Sequence, residues 1–498
     1  MIRAAWHTLM ARLDSKIAEG EKRPPLLKTL SIRALPFADA ASADFPLREL
    51  LRLSLFQVAV GMAAVMLLGT LNRVMIVELS IPAMLVASMI ALPVLVAPLR
   101  ALFGFKSDTY RSAIGWKRIP FLWFGSLYQF GGLAIMPFAL IVLSGDQTYE
   151  VPYAGEVLAA IAFVMTGLGM HMTQTAGLAL ASDRANDRTR PRVVALLYVM
   201  FLVGMGVSAL VVGWLLRDFS QIRLVEVVQG AAALTLIINV IALWKQEAVR
   251  PMTRAEREAP RATFGDAWSD YLRGGQAGRL LAVVFLGAVA FNMQDVLLEP
   301  YGGEVLGLSV SATTLLTATW AAGSLVAFAL AARWLSEGMD PYRMAGRGIL
   351  AGIAAFAAVI FSAPLDSALI FYVGAFLIGW GGGLFAVATL TAAMLMPVQG
   401  LAGRGLALGA WGAAQATGAG LSIFAGGAIR DVVNAAALSG SLGEPLNTPA
   451  TGYASVYATE VVLLFLTLVV LGPLVRSWGE LQTPTGSPER IGLAELPS

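Results

Sequence analysis

Long apolar runs separated by short polar breaks set the reading of this chain. Runs near 53–72, 81–102, 119–143, 154–181, 193–216 and 224–244 are followed by a polar stretch. Further runs lie near 279–299, 311–334, 346–363, 368–395, 405–428 and 453–475. Each is long enough to cross about 30 Å of hydrocarbon at about 1.5 Å per helical residue. The runs are too long for strands and lack strand-type alternation. In lipid, backbone polar groups must pair within the segment, so each run is read as a helix. The pattern predicts an all-α polytopic membrane protein with about twelve spans.

The runs fall into two sets of six that echo one another. After the second run the chain reads Asp108-Thr109-Tyr110-Arg111-Ser112-Ala113, and after the eighth Asp340-Pro341-Tyr342-Arg343-Met344-Ala345. The fifth run begins at Arg192 and ends at Arg217-Asp218; the eleventh begins at Arg404 and ends at Arg430-Asp431. The first ends in Asn72-Arg73-Val74 with Glu78 beyond, the seventh in Gln294-Asp295-Val296 with Glu299 beyond. The predicted division is an arm with an amphipathic helix over 1–48, six-helix bundles over 49–245 and 279–478, a linker over 246–278 and a tail over 479–498. Two pseudo-symmetric six-helix halves are the major facilitator architecture.

Charge adds orientation. All but four of the 35 Lys and Arg residues fall on one side of the predicted membrane; Arg73, Arg217, Arg223 and Arg430 fall on the other. By the positive-inside rule both termini are cytoplasmic, as for a multi-pass protein of a bacterial inner membrane. In the arm, Ile2, Trp6, Leu9, Met10, Leu13 and Ile17 share one helical face, which fits a helix lying in the interface or docked on the protein's own loops. The start of the chain shows no apolar core or cleavage site of a signal peptide.

Composition narrows the chemistry. Hydrophobic residues make up 57% and charged residues 13%, with a mean hydropathy of +0.72. Soluble domains carry roughly 25% charged residues. No cysteine is present, which excludes disulfides and thiolate sites. The glycine clusters lie in apolar spans without a phosphate-loop Lys-Ser/Thr, and no paired-carboxylate site, zinc spacing or serine elbow is found. An enzyme is not expected, nor is a nucleic-acid partner.

Ionisable groups within a membrane are functional candidates by default. At the outer ends of the first and seventh runs stand Asn72, Arg73, Glu78, Gln294, Asp295 and Glu299. Arg73 and Asp295 are placed to pair across the halves, or all sit solvated at headgroup level. His171, near mid-membrane beside Gly167, Gly169 and Gln174, has two readings. One is an axial ligand or proton relay with room for a flat ligand; the other is an interhelical hydrogen bond.

The loop containing Gly104, Asp108 and Arg111, followed by Gly115-Trp116-Lys117-Arg118, resembles the major facilitator signature, with Thr109 where that signature has a basic residue. The stretches Pro46–Val58 and Gly69–Leu79 resemble the PucC/LhaA family of bacteriochlorophyll-linked major facilitator proteins, as does the loop 100–120. The resemblance covers about 45–475, and the arm leans to the core-antenna (LhaA-like) subtype. It implies an assembly factor for photosynthetic light-harvesting complexes that binds or delivers bacteriochlorophyll, with carotenoid or bound lipid as further cofactors. The implied partners are antenna polypeptides, the reaction-centre core complex, the pigment-synthesis or insertion machinery, and membrane lipid. The competing reading is a proton-coupled transporter of a small solute.

Overall fold

A computed structural model describes residue 40 and the chain from Phe45 to Gln482, apart from 72–73, 76–78, 80, 82, 146–150, 187–188, 217–219, 250, 255–257, 259–261, 274, 309, 397–400 and 402. The predicted arm helix, Asn72, Arg73, Glu78 and residues 483–498 of the tail lie outside the described residues.

The described residues form helices and no strand. Among the described residues, eleven helices are long and apolar enough to cross a membrane. The first predicted span adds another, Leu47–Val65, which runs on through a π-helical turn, Met66–Thr70. The third and tenth spans, Ile119–Leu143 and Ala368–Leu395, coincide with the predicted runs. The chain is therefore a multi-pass membrane protein of the major facilitator fold.

Two spans predicted as continuous are broken. The second consists of Ala83–Leu95 and Leu99–Thr109, separated by a turn. Pro98 has no N–H to continue the ladder, and the Ala97 N–H turns back to the Val94 carbonyl (3.0 Å). The seventh runs as Gln276–Asn292, tightens to a 3₁₀ turn over Met293–Val296, and resumes as Leu298–Glu304. The eleventh also departs from expectation. Arg404–Leu438 has 35 residues against 26 in the fifth, Arg190–Leu215. Its Asn434-Ala-Ala-Ala-Leu438 extension continues the helix until Gly440 takes positive φ (77°).

Within each half, neighbouring spans pack closely: the third on the fourth (Ala154–Arg184), and the ninth (Pro341–Ser362) on the tenth. The halves meet chiefly along two seams, the second span against the eleventh and the fifth against the eighth (Val310–Ser336). These seams exchange under the internal repeat, because the second span corresponds to the eighth and the fifth to the eleventh. On the second seam Tyr198 stacks on Phe328 (5.2 Å between centroids), and its hydroxyl donates to the Ala386 carbonyl (3.4 Å).

The linker, expected to be only a polar connector, holds a helix, Phe264–Leu272. Thr263 caps it: its hydroxyl accepts from the Asp266 N–H (3.2 Å) and donates to the Asp266 carboxylate (2.7 Å). Its apolar face packs Ala267 and Tyr271 with Ala101, Phe105, Leu406 and Ala410, so it rests on the first seam.

Candidate functional site

The first seam is a latch built on the sequence signature. Its crossing is set by two glycines: a Cβ on Gly104 would lie 1.8 Å from the Gly405 carbonyl oxygen, and one on Gly405 would lie 2.4 Å from that of Gly104. Gly104 is thus a point of close helix approach. The turn of this loop is made instead by Gly115, whose φ is +84°.

One helical turn beyond Gly104, Asp108 reaches the N-terminus of the eleventh span. Its carboxylate accepts from the backbone N–H groups of Gly405 (2.9 Å) and Leu406 (2.8 Å). Those donors have no partner inside their own helix, and the positive end of the helix dipole favours an anion there. Arg118 braces the carboxylate, with Nη2 2.5 Å from Asp108, Nε 3.1 Å from Asp183 and Nη1 donating to the Ser107 hydroxyl (2.6 Å). Burial opposes the Arg118 charge, but Asp108 and Asp183 outweigh it and the guanidinium pKa is raised. Arg404 crosses from the second half to Asp183 at 3.5 Å.

Two further carboxylates tie this end together. Glu247, just after the sixth span, accepts from the N–H groups of Lys117, Arg118 and Ile119 (3.1–3.2 Å), capping the third span. Glu49 pairs with Arg184 at 2.5 Å, and that hydrogen bond holds its carboxyl below the usual range.

The repeated motif behaves differently. Asp340 accepts from the Tyr342 N–H (2.8 Å) of the helix it precedes, and Arg343 approaches it at 3.8 Å from an exposed position. The signature therefore latches the halves in one copy and caps locally in the other. Arg111 lies half-buried just past the end of the second span.

Deeper in the first half, His171 places Nε2 2.9 Å from the Pro93 carbonyl. The break after Leu95 frees this carbonyl, since the Ala97 N–H bonds elsewhere. The predicted interhelical hydrogen bond is thus present. The room expected beside His171 is not where the sequence placed it. A Cβ on Gly167 would lie 2.6 Å from Pro93, and one on Gly169 would lie 2.3 Å from the Gln129 backbone, so both glycines serve helix packing. Gln174 donates to Gln57 (3.4 Å). Nearby Arg100, buried on the face of Gly412, donates to the Thr175 hydroxyl (3.2 Å).

At the opposite end, Gln294 is buried and donates to the Asp295 carboxylate (2.5 Å). Glu299 is exposed and accepts from Thr317 (2.5 Å). The sequence reading missed Glu460, a fully buried carboxyl in the twelfth span beside Asp295. Its signal was present: Tyr453, Tyr457 and Glu460 fall at i, i+4 and i+7 on one face of an apolar helix.

Comparisons with known proteins agree with this architecture. The chain is 63% identical over 475 residues to an uncharacterized protein in the puhA-bchM intergenic region of Rhodobacter capsulatus, covering 95% of this chain and 99% of that one. It is 55% identical over 412 residues to Protein PucC of Rhodovulum sulfidophilum, covering 82% and 90%. Among solved structures it resembles a bacterial homologue of the iron transporter ferroportin in the outward-facing state (TM-score 0.66, 13% identity, 86% and 99% covered). It also resembles the major facilitator transporter FucP in the outward conformation (TM-score 0.58, 14% identity, 85% and 97% covered). The family model for PUCC protein matches residues 70–478, and the chain belongs to that family.

Proposed function

We propose that this protein is an assembly factor for photosynthetic light-harvesting complexes that handles bacteriochlorophyll at its lipid-facing surface and organises antenna polypeptides there. The Lys and Arg distribution supports a cytoplasmic position for the loop end, with its latch and linker helix.

The observation that carries the pigment reading is an aromatic groove between the third and sixth spans. Trp116, Trp123, Phe124 and Trp244 wall it together with Ile119 and Leu243, around a cavity of about 440 Å³. Trp123, Phe124 and Trp244 are exposed, so the groove opens outward, where lipid would lie. A bacteriochlorophyll ring is flat and apolar, and aromatic walls suit it. The groove lining offers no histidine; His171, in the fourth span, would be the magnesium ligand only for a pigment held in the cleft instead. Its Nε2 on a backbone carbonyl is the outer-shell arrangement typical of ligating imidazoles.

The antenna reading rests on glycines that pack against nothing in the chain. Gly206, Gly213 and Gly230, in the fifth and sixth spans, have open space where a Cβ would stand, beside exposed Val207, Leu210 and Trp214. Small residues on a lipid face let another helix approach closely, which suits single-span polypeptides.

A small-solute transporter is the second reading, favoured by the seams between halves and by the buried Glu460. Against it, the described residues of the first half bury Arg100, Gln57 and Gln129 in their spans but no acidic side chain. Co-purification separates the readings: an assembly factor retains antenna polypeptides in mild detergent, and a transporter is recovered alone.

A further inference from the structure

The second half buries a carboxyl group that nothing in its surroundings satisfies. Glu460 is fully buried, and neither carboxyl oxygen makes a hydrogen bond. It lies about one-third of the way along the twelfth span, Pro449–Gln482. Leaving a carboxylate unpaired at that depth costs more than a packing contact returns.

What faces it is a site rather than a packed core. The 3₁₀ turn that interrupts the seventh span packs against the twelfth. That turn carries Asp295 and the Gln294 backbone N–H, both close enough to act on the Glu460 carboxyl, although neither of its oxygens meets hydrogen-bond geometry. The Gln294 side chain is also buried; its amide nitrogen binds Asp295 and its Oε1 has no partner. Two carboxyl groups and an unspent amide oxygen therefore converge on a broken membrane helix. Broken helices are where transport folds hold small cations. Asp295 is exposed at the surface of the helices, so the site is not sealed within the packed core.

The other ionisable groups here bring no cation to Glu460. On its own helix and the 298–304 segment the described ones are Tyr453 and Tyr457, Tyr301 edge-on to both, and the acidic Glu299 and Glu304, held by Thr317 and by Arg430. Among the described residues of the second half, the cation at this end is Arg430 of the eleventh span, taken by Glu304 (2.7 Å) and Asp431 (2.9 Å) and lying over the Tyr453 ring. On the packed ninth span and the first segment of the seventh, the basic residues Arg343, Arg347 and Arg279 lie at the loop end.

We propose that Glu460, Asp295 and Gln294 form a binding site for a small cation, either a proton or a monovalent metal ion. The site goes beyond pigment handling and does not rest on it. With the cation bound, the seventh and twelfth spans are held together; without it, the two carboxylates repel and the break in the seventh span loosens.

The test is thermal unfolding of the purified full-length protein in nanodiscs, followed by tryptophan fluorescence. One series varies sodium against choline at constant ionic strength and fixed alkaline pH. The other varies pH without sodium. The site predicts that the midpoint rises in one series: with sodium for a metal ion, or on acidification alone for a proton. Glu460→Gln flattens that response and unfolds at or above the midpoint of the cation-free wild type, because the amide removes the buried charge. Asp295→Asn, at an exposed position that tolerates the change, weakens the response even if Glu460→Gln does not fold. A wild type that responds in neither series would overturn the proposal. So would variants that respond as the wild type does.

Discussion

Asp108 and Gly405 are 297 residues apart, yet the Asp108 carboxylate accepts the Gly405 N–H at 2.9 Å and the Leu406 N–H at 2.8 Å. A side chain of the first half thus serves as the N-terminal cap of a helix in the second. Helix capping, usually a local device, here joins two domains. The first seam can part only if this cap is given up.

Asp108→Ala is expected to loosen the loop end. Losing an N-cap and two charge-assisted hydrogen bonds costs about 2 kcal/mol, roughly a 30-fold shift toward the parted state. Arg118 keeps Asp183, which limits collateral damage. The natural chain has no cysteine, so single cysteines introduced at Ala101 and Ala407, both buried in the seam, report the change directly. Their modification rates should rise in the variant, and unchanged rates would mean that the cap does not hold the seam.

Gly405→Leu acts on the same seam by steric means. The new side chain meets the Gly104 carbonyl and Arg118, neither of which can retreat without parting the helices. Since both changes open one contact, combining it with Asp108→Ala should add little further accessibility. Full additivity would place the two residues in separate devices.

Glu49 and Arg184 provide a pH-dependent tie at the same end. The Glu49 carboxyl lies below its usual range because Arg184 hydrogen-bonds it. Its contribution is therefore fully present above the ordinary carboxylate value and is lost as pH falls through the lower folded value. Half-exposed partners make the contribution small. Thermal midpoints of wild type and Glu49→Gln should differ slightly at neutral pH and converge once pH falls below the lowered folded value. A gap that persists in acid would assign the effect to packing.

The open glycines separate surface from core. Gly206→Leu with Gly213→Leu meets no neighbour in the chain, so yield and thermal midpoint should hold. Recovery of antenna polypeptides with the protein should fall several-fold if those helices dock there. Equal recovery would remove this face from the antenna-binding surface.

The span pattern and the two-half repeat were legible because bilayer thickness imposes them on the sequence directly. Asp108 was legible as a signature residue, but its partners were not, since a cap supplied from 297 residues away leaves no local trace. The repeat also misled: Asp340 occupies the matching position and caps its own helix, because the following Pro341 starts a helix there. The break in the second span was written in Pro93 and Pro98, and the linker helix in Thr263 and Asp266, yet both were read through. Glu460 was missed for a different reason. A single acidic residue barely lowers the hydropathy of a long apolar run, so the run was accepted and its exception passed over.

The measurement that bears most directly on pigment handling is an absorption spectrum of the full-length protein, purified in mild detergent from a pigment-producing bacterium lacking antenna polypeptides. The expected result is a bacteriochlorophyll band at fixed stoichiometry, lost when Trp123 and Trp244 are both replaced by alanine. Loss of the band in His171→Leu with the groove intact would move the site into the cleft. A colourless wild-type protein would contradict direct pigment handling.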